Sequence, residues 1–181
     1  MTYKFGPADF IGYPPIESTP IPAVVAGSYP LMTPGSLNVA EDPVWGPGEF
    51  VFGVANGAIR QYGVCVCTPL WNATTRTYVM NFTEVPNTAN LGRALYVYQG
   101  TGALASGQYG WFMASGITPV NCQASVAADT TFGIAAAGQG GANSAGKQML
   151  NARVVTAATQ TVVKTAVGGD SGGTVIKVSN T

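Results

Sequence analysis

Nine of the 12 prolines stand in the first 47 residues, at Pro7, Pro14, Pro15, Pro20, Pro22, Pro30, Pro34, Pro43 and Pro47. Each removes a backbone donor and holds the residue before it in an extended conformation. The stretch "GYPPIESTPIPAVVAGSYPLMTPG" is therefore barred from helix and ill suited to the middle of a sheet. It is nonetheless rich in Tyr, Ile, Val and Leu, which a free linker does not need. Residues 1–48 accordingly read as an extended, proline-rich N-terminal arm that lies on something apolar: its own body, a sister subunit or a larger assembly. Tyr13, Ile16, Ile21, Val24, Tyr29 and Leu31 are its candidate contact side chains.

From Glu49 onward the pattern changes to short runs of β-branched and aromatic residues punctuated by glycine, asparagine, proline or threonine. These are "EFVFGVA", "AIRQYGVCVCTPLW", "RTYVMNF", "RALYVYQ", "QYGWFMASG", "NARVVTAATQTVVKTAV" and "GTVIKVS". Such runs favour strands. In "RALYVYQ", Leu95 and Val97 face one way and Tyr96 and Tyr98 the other. Turn signals every ten to fifteen residues or so favour an antiparallel arrangement over alternating strands and helices. The expectation is an all-β body over residues 49–181, an antiparallel β-barrel or jelly-roll-like β-sandwich. One stretch is open to a helix, Asp129 to Gln139, but Gly133 interrupts it. The glycine-rich segment that follows, Gly138 to Gly146, reads as a long mobile loop.

Charge narrows the function classes. Only 9% of residues are charged, against roughly a quarter in an average soluble domain. With 46% apolar residues and 24 glycines, simple disorder is disfavoured, yet too few charges remain to coat a free monomer. Copies of the chain or a partner are expected to cover much of the surface. Residues 1–49 hold five acidic residues and one lysine, and residues 50–181 hold seven basic and three acidic ones. An acidic arm lying across a neighbour's basic body is one use for that polarity; sparse charges falling unevenly by chance is the other reading. The basic residues are scattered singly, which argues against direct nucleic-acid binding. No apolar run of about 18 residues or basic leader with an apolar stretch is present, so no membrane partner is expected and synthesis in a cytoplasm is. Cys65, Cys67 and Cys122 are an odd number of thiols that read as reduced, small hydrophobes. In a strand Cys65 and Cys67 share a face, but without histidine one chain cannot build a four-ligand zinc site from cysteine and histidine. The sequons at Asn72 and Asn81 read as chance in a threonine-rich chain.

The string Gly169-Asp-Ser-Gly-Gly173 carries the letters that surround the nucleophile of trypsin-like serine proteases. That chemistry needs an imidazole to take the serine proton, and the chain has no histidine. A desolvated lysine is the remaining base, and nothing marks Lys164 or Lys177 as buried. Gly168 to Gly173 therefore read as the connection of a terminal hairpin between "TQTVVKTAV" and "GTVIKVS". The acidic residues form no recognisable pair, and no phosphate loop, dinucleotide fingerprint or EF-hand loop is present. The sequence thus names no catalytic residue, no metal site and no cofactor.

Gln108-Tyr-Gly-Trp-Phe112, Gly116, the small-residue stretch through Val126-Ala-Ala128 and the later "GKQMLNARVVTAATQ" together resemble tailed-bacteriophage capsid decoration, or cement, proteins. The resemblance covers residues 93 to 155, about a third of the chain. It implies a β-rich virion protein, made in the host bacterial cytoplasm, that binds the outside of the capsid. Its partners are then the major capsid protein and itself, as dimer or trimer. Tyr109 and Trp111 share one strand face and are either core or interface anchors, with Gly110 between them allowing a bend or a close backbone approach. Other virion parts compete with this expectation: a head fibre base, a minor shell protein or a tail-associated β-domain. So does a secreted carbohydrate-binding sandwich, which the exposed aromatics favour and the missing leader opposes.

Overall fold

The computed structural model describes residues 4–5, 16, 35–42, 46–73, 76–123, 126–127, 130–156 and 174–178. Eleven strands are found among them, and all regular structure longer than one residue is β. The first three are β1 (Lys4–Phe5), β2 (Leu37–Asp42) and β3 (Gly46–Ala55). They are followed by β4 (Val64–Asn72), β5 (Thr77–Glu84), β6 (Leu95–Tyr98) and β7 (Tyr109–Val120). The last four are β8 (Thr131–Ala136), β9 (Gln139–Ala142), β10 (Gln148–Thr156) and β11 (Thr174–Val178). Every pairing is antiparallel except that of β3 with β5.

Five of these strands are joined in a ring. β3 pairs with β5, β5 with β4, β4 with β6, β6 with β7, and β7 returns to β3. The alternation of side chains sends one set inward: Val51 and Ala55 of β3, Cys65 of β4, Phe82 of β5, Tyr98 of β6, and Phe112 and Ala114 of β7, with Ile59 and Leu104 from the connections. Phe82 and Phe112 lie parallel with ring centroids 3.7 Å apart. Gly110 leaves room for Tyr98, whose Cε2 lies 2.6 Å from where a Cβ on that glycine would be. This is the close approach expected of a glycine between two aromatics.

Outward-facing Val64, Val66 and Val97 carry a second core. They pack with Tyr62, Val120, Phe132, Ile134, Met149 and Val154, contributed largely by a further sheet in the order β7-β11-β10-β8-β9. β7 serves both layers: residues 109–115 pair with β3, and Gly116 to Val120 pair with β11. The change of partner falls at Gly116, which has φ of 130°. A Cβ there would stand 3.0 Å from Gly48 Cα, so backbone conformation and space both require glycine. Glu84 pins the loop at the end of the ring, its Oε1 accepting from the backbone N–H of Arg60 at 2.8 Å and from Arg60 Nε at 2.9 Å.

The structure amends the sequence reading in three places. Residues 37–42 form strand β2, paired with β3 at six positions, and the division at residue 48 falls inside β3. The window Gly35 to Asp42 is the longest proline-free run before Pro47, which is why a strand fits there. The stretch open to a helix is instead strand β8, and Gln139 to Ala142 form β9 where a long loop was expected. The glycines of β9 are there for space: a Cβ on Gly140 would overlap the Phe132 ring. Near the carboxyl end, β10 and β11 are antiparallel neighbours, with Arg153 opposite Lys177. The connection between them, including Gly168 to Gly173, lies outside the described residues.

Candidate interaction surface

β4 and β5 run on past the ring as a two-stranded hairpin. β4 pairs with β6 only from Val64 to Val66, and β5 with β3 only at Asn81 and Phe82. The rest of the β4–β5 ladder, out to Asn72 opposite Thr77, has no further strand partner among the described residues. Pro69 sits within this outer half and faces Met80. Having no N–H, it suits a strand whose other edge is unpaired.

Registration extends one face of the ring core out into solvent. Cys67 lies opposite Phe82, Pro69 opposite Met80, and Trp71 opposite Tyr78. All six share the face that Cys65 and Phe82 present to the core. Phe82 is wholly buried, whereas Trp71 is 55% and Tyr78 63% exposed, with Leu70 at 49% on the other face. Trp71 and Tyr78 make an edge-to-face pair with centroids 5.1 Å apart. At the tip Arg76 is exposed and left-handed, with φ of 53°.

At the root of the hairpin is an open cleft of about 320 Å³ lined by Cys67, Thr68, Pro69, Met80, Arg93, Ala94 and Tyr96. Arg93 Nη1 donates to Thr68 Oγ1 at 3.1 Å. The Cys67 sulfur lies 3.9 Å from that of Met80, and burial pushes its thiol pKa up to about 11. Burial, followed by the nearby Cys67, raises that of Tyr96 as well. Such a thiol stays protonated and is a poor nucleophile at neutral pH. Cys65, sharing its strand face, is buried in the ring core, and its thiol pKa is raised further by burial and by Glu84. Among the described residues no three His, Cys, Asp or Glu side chains are grouped to hold a metal ion. What the cleft offers is apolar and aromatic area, sulfur, and the donors of one arginine.

A second exposed apolar strip runs along β2, where Leu37 is 63% and Val39 53% exposed. It begins beside the cleft: a Cβ on Gly35 would lie 3.1 Å from Met80 Cγ.

Of the residues singled out from sequence, those that the structure describes fall elsewhere. Trp111 is wholly buried, edge-on to Phe52 at 5.2 Å, and so belongs to the core. Tyr109 is half-buried and stacked on Phe52 at 5.8 Å. Ile16 is buried at 3% exposure. Tyr13, Ile21, Val24, Tyr29 and Leu31 lie outside the described residues. The hairpin aromatics were missed, although a proline within the strand-like run "VCVCTPLW" marks it as an edge. No protein-family model, characterised protein or solved structure matches the chain.

Proposed function

We propose that this chain is a structural virion protein that binds the outer surface of a phage capsid and cements adjacent capsomers against the pressure of packaged DNA. The observation that carries this reading is the projecting hairpin, which holds Trp71 and Tyr78 more than half exposed and Leu70 nearly so on a chain with only 9% charged residues. Exposed aromatics on a rigid strand pair are the side chains that anchor interfaces. A chain so poor in charge needs its surface covered by something other than water. The resemblance of Gln108 to Phe112 and the segment after it to capsid decoration proteins supplies the identity of the surface.

In this account the ring of β3, β5, β4, β6 and β7 is a closed β-barrel, flanked by the second sheet and preceded by the proline-rich arm. The barrel sits over junctions between capsomers with the hairpin turned to the shell or to a sister copy. Binding only the assembled, expanded shell stabilises it by mass action, to an extent set by affinity and occupancy. The protein is then a virion component on the capsid exterior, with the major capsid protein and itself as partners. Copy number in purified particles separates this role from that of a head fibre base or tail part: a cement protein approaches the stoichiometry of the major shell protein, and a tail component is present in a few copies. Co-sedimentation of the purified chain with heads lacking it tests the reading directly.

A further inference from the structure

Strand β3 has β7 along one edge, over residues 49–54. Its other edge is shared end to end: β2 covers residues 46–51, and β5 takes over at Val54 and Ala55. The hairpin therefore leaves the ring where β2 begins, and the two meet at Gly35 and Met80, where a Cβ on the glycine would lie 3.1 Å from the methionine Cγ. Two strips diverge from that point, and register gives both the same parity. Met80 and Tyr78 follow Phe82 of the ring core; Leu37 stands opposite Val51, also of that core, and is followed by Val39 and Glu41. Each strip is thus the inner face of the ring continued past its rim.

The strips match in step and differ in charge. Two residues out from the meeting point stand Tyr78, paired with Trp71, on one strip and Leu37 on the other. Four residues out stand Arg76 and Val39, and Glu49 is the cross-strand neighbour of Val39. At about 3.3 Å per residue each run is roughly 13 Å long. Trp71, Tyr78, Leu37 and Val39 are all more than half exposed. Arg76 is the one charged residue between positions 64 and 83, and Arg93 stands at the root of the hairpin. The β2 strip carries Glu41 and Glu49, both exposed, with Lys4 of β1 registered opposite Glu41. Glu49 is held in place by Ser115, whose Oγ donates to its Oε2 at 2.9 Å. One surface is therefore apolar and basic, the other apolar and acidic. A two-fold axis that bisects the strips lays each hairpin on the other copy's β2 and makes equal steps coincide. Tyr78 then meets Leu37, and Arg76 meets Glu49 with Glu41 one step beyond, so that apolar area supplies affinity and the charges fix the orientation.

We propose that the β4–β5 hairpin docks on the β2 strip of a second copy of this chain, reciprocally, in a two-fold dimer. The proposal rests on the part of the functional reading that makes the chain its own partner.

Charge reversal tests the pairing, read by sedimentation velocity on the full-length chain at low salt. The wild type is expected to dimerise. Arg76→Glu alone, and Glu41→Lys with Glu49→Lys in one chain, should each associate about tenfold or more weakly, because every contact then sets like charges together. An equimolar mixture of the two variants should restore the dimer, with one copy of each, since both of its contacts are again between opposite charges. Trp71→Ala with Tyr78→Ala should weaken association by about tenfold or more as well. All five positions are exposed, so melting should be unchanged, and the charge variants decide the matter if the aromatic double variant does not fold. A wild-type chain that is monomeric at every concentration overturns the proposal. So does either charge variant dimerising as the wild type does, which is the result if hairpin meets hairpin or β2 meets β2, or a mixture that stays monomeric. Head binding is scored separately: a wild-type monomer that still pellets with heads refutes this inference alone, and a dimer with the expected complementation that does not pellet refutes the capsid reading alone.

Discussion

Trp71 and Trp111 are chemically identical side chains with opposite roles, and burial decides between them. Trp111 is wholly enclosed against Phe52, so Trp111→Ala should cost about 3–5 kcal/mol in urea denaturation. Trp71→Ala removes a side chain that is 55% exposed and should shift stability by no more than about 0.5 kcal/mol. A comparable loss from both would mean that the hairpin is part of the core. The thiols give a second test. Cys67 is held protonated, with its pKa pushed from the ordinary 9.0 to about 11, and Cys65 is raised too. A raised thiol pKa favours the neutral form in the folded chain, so this contribution to stability is complete below about pH 9 and is lost as pH rises towards and past 11. Denaturation midpoints should accordingly fall across that window, and alkylation of Cys67 by iodoacetamide in the folded protein should be slow at pH 8 and rise steeply near pH 11. Rapid alkylation at pH 8 contradicts the half-buried placement of Cys67.

At the scale of elements, β2 separates the arm from the body. A chain lacking residues 2–34 keeps every β2–β3 pair, whereas one lacking residues 2–40 loses four of the six, at Leu37, Asn38, Val39 and Ala40. The second deletion should be less stable than the first by about 1–4 kcal/mol, given roughly 0.2–1 kcal/mol per cross-strand pair, measured as the difference in urea stability between the two. Equal stabilities would return β2 to the arm. The strands that were legible in sequence are those with a strong local signal, such as "EFVFGVA" in β3 and the alternation Leu95-Tyr-Val-Tyr98 in β6. That alternation holds in space: Tyr98 faces the ring core and Val97 the second one. β8 and β9 were not legible, because "TFGIAAAGQGGA" is built of small residues whose placement is set by contact with Phe132 rather than by propensity. β2 was obscured by the prolines around it. The exposed hairpin was hidden for a different reason: its outer half has the same strand-like composition as its inner half, and only the pairing of neighbouring strands shows where the ring ends. Ser171, whose letters suggest a nucleophile, lies outside the described residues, and the case against its catalysis remains the missing imidazole.

For the molecule as a whole, two cores on either side of β4 and β6 hold a hairpin whose exposed aromatics contribute little to the fold. That separation lets surface variants be made without unfolding the protein, so binding can be tested apart from stability. The most direct measurement is co-sedimentation of the purified full-length chain with phage heads that lack it. The account predicts saturable pelleting at a stoichiometry comparable to the shell subunit, strongly reduced when Trp71 and Tyr78 are both replaced by alanine in a chain that melts like the wild type. A folded wild-type chain that stays in the supernatant at all head concentrations, or pelleting that the double variant leaves unchanged, contradicts it.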